Sequence, residues 1–172
     1  LHNLKLCRDM TGATTAVEIG TYKGVTTKRL SRLFDHVVTV EIDPALHAHS
    51  LARCKGRSNI EFLLGDGAVL LPQIAARVSK AVLFLDGHFS GVETGQGDEP
   101  EPVLAELDHI IPHLANFDAV VVDDFRLFGV DKGWPRKSEV LAKLEAIFDE
   151  RQWTLAIQND QFLIIRQPVA AA

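Results

Sequence analysis

The segment TAVEIGTYKG, residues 15 to 24, constrains the fold more than any other part of the chain. It reads as a short apolar strand, Thr15 to Ile19, that breaks into Gly20-Thr21-Tyr22-Lys23-Gly24 and then enters a helix. A strand feeding a glycine turn and a helix start is a nucleotide-binding device. The glycines let the backbone approach a ligand closely, and unpaired N–H groups at a helix start favour an anionic group. The spacing Gly20-x-x-x-Gly24, with Glu18 two residues before the first glycine, differs from the G-x-G-x-x-G pattern of dinucleotide-binding folds.

The rest of the chain repeats the strand–helix alternation. Apolar runs at Val37–Glu41, Asn59–Leu64, Ala81–Leu85 and Asp118–Val122 read as further strands. Their near-continuous hydrophobicity fits parallel strands covered on both faces. Helices are expected over residues 2 to 10 at one edge of the fold, and over Val25–Phe34 with Val25, Leu30, Leu33 and Phe34 on the apolar side. Others are expected from Pro44 to about Lys55, Ala68 to Val78, Glu101 to Leu114 with its end disturbed by Pro112, and from a Ser138 cap to about Arg151. Trp153–Ile157 and Phe162–Ile165 flank Asn159-Asp160 and read as a terminal hairpin. The expected fold is α/β: a single doubly wound, mostly parallel seven-stranded sheet with an antiparallel C-terminal hairpin.

A chain of 172 residues fits one domain spanning 1–172. Its net charge of -5 offers no general basic surface, so no nucleic-acid partner is expected. No run reaches membrane-spanning length and no secretory signal opens the chain; the two cysteines, Cys7 and Cys54, fit a reducing, cytoplasmic setting. The first residue is Leu1, consistent with a trimmed N-terminus, and residues 169 to 172 read as an unstructured tail.

Ligands of doubly wound sheets bind beyond the carboxyl ends of the strands, at the switch point of the topology. The residues there are Gly20, Thr21, Tyr22 and Gly24 after the first strand, Glu41 and Ile42 at the second, Asp66-Gly67 after the third, Asp86 after the fourth and Asp123-Asp124 after the fifth. A carboxylate at Glu41, about 20 residues past the glycine turn, suits the two hydroxyls of a ribose. One at Asp66 suits an adenine amino group. Three carboxylates at the ends of adjacent strands repel unless a proton or cation lies between them, and an all-oxygen set suits Mg²⁺, Mn²⁺ or Ca²⁺. The same aspartates are also good capping residues. His88 lies two residues past Asp86, where it either acts as a base or braces the loop.

VEIGTYKGVTT resembles motif I of the class I S-adenosylmethionine (SAM)-dependent methyltransferases, with Thr26 as the hydroxyl residue after the glycine turn. VVTVEID, LLGDGAVLLPQI, LFLDGH and VVVDD resemble, in order, the ribose strand, the adenine-side segment and the two metal-binding strand ends of O-methyltransferases of the catechol type and the macrocin type. The resemblance implies SAM contacts from Glu18 through Asp86, with Glu18 partly structural. It also implies a Mg²⁺ site at Asp86, Asp123 and Asp124. The catechol type carries a lysine where this chain has Phe89, which leaves His88, with Asp86, as the catalytic candidate. The expected acceptor is a small-molecule or glycan hydroxyl, held by residues 89–100 and 125–136 with Phe89, Phe125, Arg126 and Trp134 as walls. A homo-oligomer is compatible with this reading. Two other classes stay open: a nucleotide- or NAD-binding oxidoreductase, and a non-catalytic SAM-fold partner subunit.

Overall fold

A computed structural model describes residues 1–87 and 102–168. One seven-stranded sheet carries the molecule, built from β1 (Thr15–Ile19), β2 (His36–Glu41), β3 (Ile60–Leu64), β4 (Ala81–Leu85), β5 (Phe117–Val122), β6 (Trp153–Gln158) and β7 (Gln161–Arg166). The order across the sheet is β3-β2-β1-β4-β5-β7-β6. Strands β1 to β5 run parallel, and β7 enters antiparallel between β5 and β6. The chain winds outward from β1 to β3, then crosses back to β4 on the other side of β1. The switch point therefore lies between β1 and β4. This is the architecture expected from the alternating pattern.

The strands are apolar along their whole length because both faces are covered, and their residues divide by parity. Val17, Ile19, Val38, Val40, Leu83, Leu85, Val120 and Val122 face one core, with α4 (Gly67–Arg77), α5 (Val103–Ile110) and α6 (Lys137–Ile147). Ala16, Val37, Val82, Phe84, Ala119 and Val121 face the other, against α1 (His2–Thr11) and the segment from α2 (Val25–Leu30) to Phe34. Helix α3 (Pro44–Arg53) packs beside β2 and β3 and is capped by Asp43, which accepts from the N–H groups of Ala45 and Leu46. Each fully buried Leu, Ile or Phe in these layers contributes about 1.5–3 kcal/mol of transfer free energy.

Several local expectations change. Helix α1 packs on the central strands β4, β5 and β7, not on an edge, because Leu4 and Cys7 belong to the second core. Helix α2 stops at Leu30, and Val25 is exposed, while Thr27 takes the buried position. Helix α5 ends at Ile110 and continues as a 3-10 stretch through Asn116, with Pro112 inside it. Ser138 does not cap α6. Arg136 holds the cap position, and its N–H donates to the Glu139 carboxylate at 2.6 Å; the helix ends at Ile147 so that Phe148 can turn into the core against Trp153. No helix among the described residues is long and apolar enough to cross a membrane.

Phe128, in the β5–α6 connection, is fully buried between Trp134 and Phe162, with ring centroids at 5.0 and 5.8 Å. Phe128→Ala should cost about 3–5 kcal/mol of unfolding free energy, the range for deleting a buried aromatic ring. A urea midpoint within error of the parent protein would contradict this packing.

Candidate functional site

The strand ends of β3, β2, β1, β4 and β5 line up in sheet order, so Glu41, Gly20, Asp86 and Asp123 form one row at neighbouring strand spacing, with Asp66 two residues past Leu64, the partner of Glu41 on β3. Backbone bonds fix the row: the N–H of Asp86 donates to the carbonyl of Ile19, and that of Asp123 to the carbonyl of Leu85, both at 3.0 Å. Gly20 marks the tightest point. Its φ is +96°, and a Cβ there would lie 2.3 Å from the carbonyl oxygen of Asp86. A side chain at this position would drive β1 and β4 apart at the switch point.

The turn that follows is held from below. The N–H groups of Gly20 and Thr21 both donate to the Val40 carbonyl. Tyr22 adopts φ 49°, uncommon for a residue with a Cβ. Its N–H donates to Glu41 Oε2 at 2.6 Å, and Oε1 of the same carboxylate accepts from the N–H of Asp43 at 2.9 Å. Glu41 is buried and joins the ends of β1 and β2 through these two bonds. Ile42, the next residue, is half-buried. A carboxylate has about four lone-pair sites, so both oxygens keep acceptor capacity. Asp66 caps α4, its Oδ1 accepting from the Ala68 N–H at 2.8 Å. A Cβ on Gly67 would lie 2.3 Å from Ile19 Cγ2 and 3.3 Å from Glu106 Oε1, so the absence of a side chain brings α4 onto β1.

Glu18 lies beneath the turn on the second core face, fully buried. Its Oε2 accepts from Thr27 Oγ1 at 2.5 Å and Thr39 Oγ1 at 2.6 Å, and Thr39 Oγ1 is 2.6 Å from Thr21 Oγ1. Oε1 is buried with no hydrogen-bond partner among the described residues. Burial, partly offset by the two hydroxyl donors and reinforced by the Glu41 charge, pushes the Glu18 carboxyl up to about 7. The hydroxyl that serves Glu18 is Thr27. Thr26, the residue expected from the motif, is half-buried beside it. Sequence reading also passed over Thr39, although a lone threonine in VVTVE was a visible signal. Glu106, buried on α5 beside the start of α4, gave no comparable signal.

The Mg²⁺ set expected at Asp86, Asp123 and Asp124 finds no support among the described residues. No cluster of three or more His, Cys, Asp or Glu side chains suited to a metal ion forms among the described residues. Local contacts engage two of the three aspartates. Asp123 Oδ1 accepts from the Asp124 N–H at 2.9 Å, and Asp124 takes a left-handed φ of 58°. Its carboxylate pairs with Arg126 at 2.8 Å, and Arg126 also engages Asp160 in the β6–β7 turn. The Phe125 N–H donates to the Asp160 carbonyl at 2.9 Å and the Arg126 N–H to Asp160 Oδ1 at 2.8 Å. Phe125 packs on Phe162 and Trp134 on Phe128, so both serve the core more than an open wall. His88 and Phe89, with the rest of the 89–100 stretch, lie outside the described residues.

No family model matches the chain, and no curated protein matches it either. Solved structures do. The O-methyltransferase TomG from Streptomyces achromogenes, involved in tomaymycin synthesis and solved with SAM, is 20% identical. The match covers 96% of this chain and 78% of TomG at a TM-score of 0.67. The N-methyltransferase NodS from Bradyrhizobium japonicum WM9 is 12% identical over 97% of this chain and 93% of its own, at 0.63. An rRNA methylase from Streptococcus thermophilus is 13% identical over 97% and 95%, at 0.60. The chain therefore has the methyltransferase fold, shared with proteins named for oxygen, nitrogen and ribosomal RNA methylation.

The buried carboxyl has a consequence for stability. With its folded value raised to about 7 from an ordinary 4.5, Glu18 holds its proton more tightly in the folded state. Its contribution is fully present below about pH 4.5 and is lost as pH rises through about 7, on the order of 3 kcal/mol in all. Glu18→Gln should flatten the fall in urea midpoint between pH 4.5 and 7.5. Identical pH slopes in the two proteins would show that Glu18 does not titrate as described.

Proposed function

We propose that the protein is a SAM-dependent methyltransferase acting on a hydroxyl of a small molecule or sugar. The observation that carries the reading is the row of acceptors at the switch point, with Glu41 buried under the glycine turn and tied to the Tyr22 and Asp43 N–H groups. In this reading Glu41 accepts from the ribose hydroxyls and Asp66 from the adenine amino group. The glycine at position 20 and the strand end at Asp86 receive the methionine part. The fold likeness to TomG, a SAM-bound O-methyltransferase, supports the oxygen acceptor.

SAM would supply the methyl group and its own thioether leaving group, and the acceptor hydroxyl would give up its proton to Asp86 or His88, the two catalytic candidates, or through them to solvent. The rest of the protein's part is to fix the line of transfer and exclude competing water. The reading routes no step through a cation, since Asp124 is paired with Arg126 and no metal-suited cluster forms among the described residues.

Glu41→Ala removes the ribose acceptor and the anchor of the Tyr22 turn together. SAM binding should weaken by about 1.5–3 kcal/mol, the range for hydrogen bonds to charged groups. Calorimetry showing parental affinity in this variant would sink the assignment. Methyl transfer to pooled hydroxyl acceptors should proceed equally in excess chelator and in Mg²⁺. A drop of tenfold or more on chelation would restore the cation-assisted mechanism.

A further inference from the structure

Glu18 has more burial and less compensation than a loop brace requires. It is fully enclosed, one oxygen accepts two hydroxyl bonds and the other has no hydrogen-bond partner. A carboxylate used only for bracing could be replaced by an amide with little loss, since a buried ion costs several kcal/mol unless paired. The hydroxyl chain also has a direction. Thr39 has one hydrogen and donates it to Glu18, so in the contact with Thr21 it is Thr21 that donates. When Glu18 holds a proton this relay can reverse. The charge state of Glu18 is therefore linked, through two hydroxyls, to Thr21 in the glycine turn.

We propose that Glu18 couples a proton to occupancy of the cradle above it and selects for a positively charged ligand: the carboxyl gives up its proton when a cation binds. The inference rests on the SAM reading, because SAM carries a sulfonium charge that its demethylated product, S-adenosylhomocysteine, lacks. On binding, the carboxyl O–H breaks, the proton passes to buffer, and the carboxylate charge that remains attracts the positive charge of the ligand. On methyl transfer the sulfonium becomes a neutral thioether. The attraction weakens and Glu18 regains its proton, which favours product release.

The groups facing Glu18 do not supply the proton in its place. From β2 come the neutral Thr39 hydroxyl and the Glu41 charge, which disfavours ionisation. From α2 comes the neutral Thr27 hydroxyl, and its register neighbour on β4 is Phe84. Just beyond α3, Cys54 feels the Glu18 charge, and burial holds its thiol protonated, above its ordinary value. At neutral pH the free carboxyl, at about 7, is close to half protonated, which gives a measurable reservoir.

The test is calorimetry on the full chain at pH 7, with SAM and S-adenosylhomocysteine, in two buffers of different ionisation enthalpy. Binding of SAM should release about half a proton more from the parent protein than from Glu18→Gln, which also accounts for titration of the ligand's own amino group. The SAM-to-product affinity ratio should rise severalfold from pH 6 to 8 in the parent and stay flat in the variant. Thr39→Val keeps the carboxyl and removes one bond to its ionised form, so the pH of greatest proton release should move upward. Parent and Glu18→Gln proteins that bind SAM with equal proton release would overturn the inference and leave the SAM reading intact. Failure of the parent protein to bind either ligand at any pH would overturn both.

Discussion

The close approach of β1 and β4 at their carboxyl ends is the constraint from which the site follows. Gly20 lies so near the Asp86 carbonyl that a single methyl group there would overlap it. The next residues of the two chains cannot continue as paired strands, so they part at this point. One becomes the turn over Val40 and Glu41, and the other leaves toward the 88–101 stretch. The gap is the only place in such a sheet where consecutive crossovers go to opposite sides. Gly67 repeats the same physics one layer down, letting the start of α4 sit on Ile19. Two glycines thus set how β1 meets β4 and how α4 meets β1, and the acidic residues at the strand ends acquire their arrangement from backbone packing more than from contacts with one another.

The parallel sheet was legible in the sequence because its cause is simple. Strands buried on both faces must be apolar throughout, and VVTVE, AVLFL and DAVVV have few other ways to fold. The glycine turn and Glu41 were legible for a similar reason, since each lies at a fixed offset from a strand that is itself unmistakable. Helix ends were harder to read. Val25 satisfies an apolar periodicity, yet Thr27 takes the inner position because a hydroxyl there can satisfy buried Glu18 and a methyl group cannot. Ser138 looks like a cap in isolation. Arg136 takes that role because the Glu139 side chain returns to its N–H. In both cases the deciding partner is a specific polar atom, and periodicity carries no information about such atoms.

The β6–β7 turn shows how a distant segment enters the site. Asn159 and Asp160 both hold left-handed backbone angles, an arrangement that suits a two-residue hairpin but is costlier there than glycine. Their side chains account for retaining them. Asn159 donates to Asn3 on α1 at 3.1 Å, and Asp160 receives the backbone and guanidinium of Arg126. Lys137 adds a bond from α6 to the Phe128 carbonyl at 2.6 Å and lies over the Phe125 ring. The connection after β5 is thereby tied to the hairpin, to α6 and, through the hairpin, to α1. A segment that reads as an irregular loop in the sequence is anchored at both ends by partners that lie nine or more positions away or across the sheet.

The fate of Asp124 separates a motif from its chemistry. VVVDD has the composition of a metal-binding strand end, and Asp123 and Asp124 follow β5 as that motif requires. Here Asp124 takes a left-handed backbone torsion. With φ at 58°, Asp124 leaves the strand direction, and its N–H turns back to the Asp123 carboxylate. Its own carboxylate then meets Arg126, whose charge offsets that of one member of the acidic row. The exposed pair contributes little to stability by itself. Its effect is on geometry: it commits one carboxylate to the hairpin side and leaves Asp123 to the strand end. Coordination depends on where the oxygens point, and here that is set by the Asp124 N–H and the Arg126 guanidinium that compete for them.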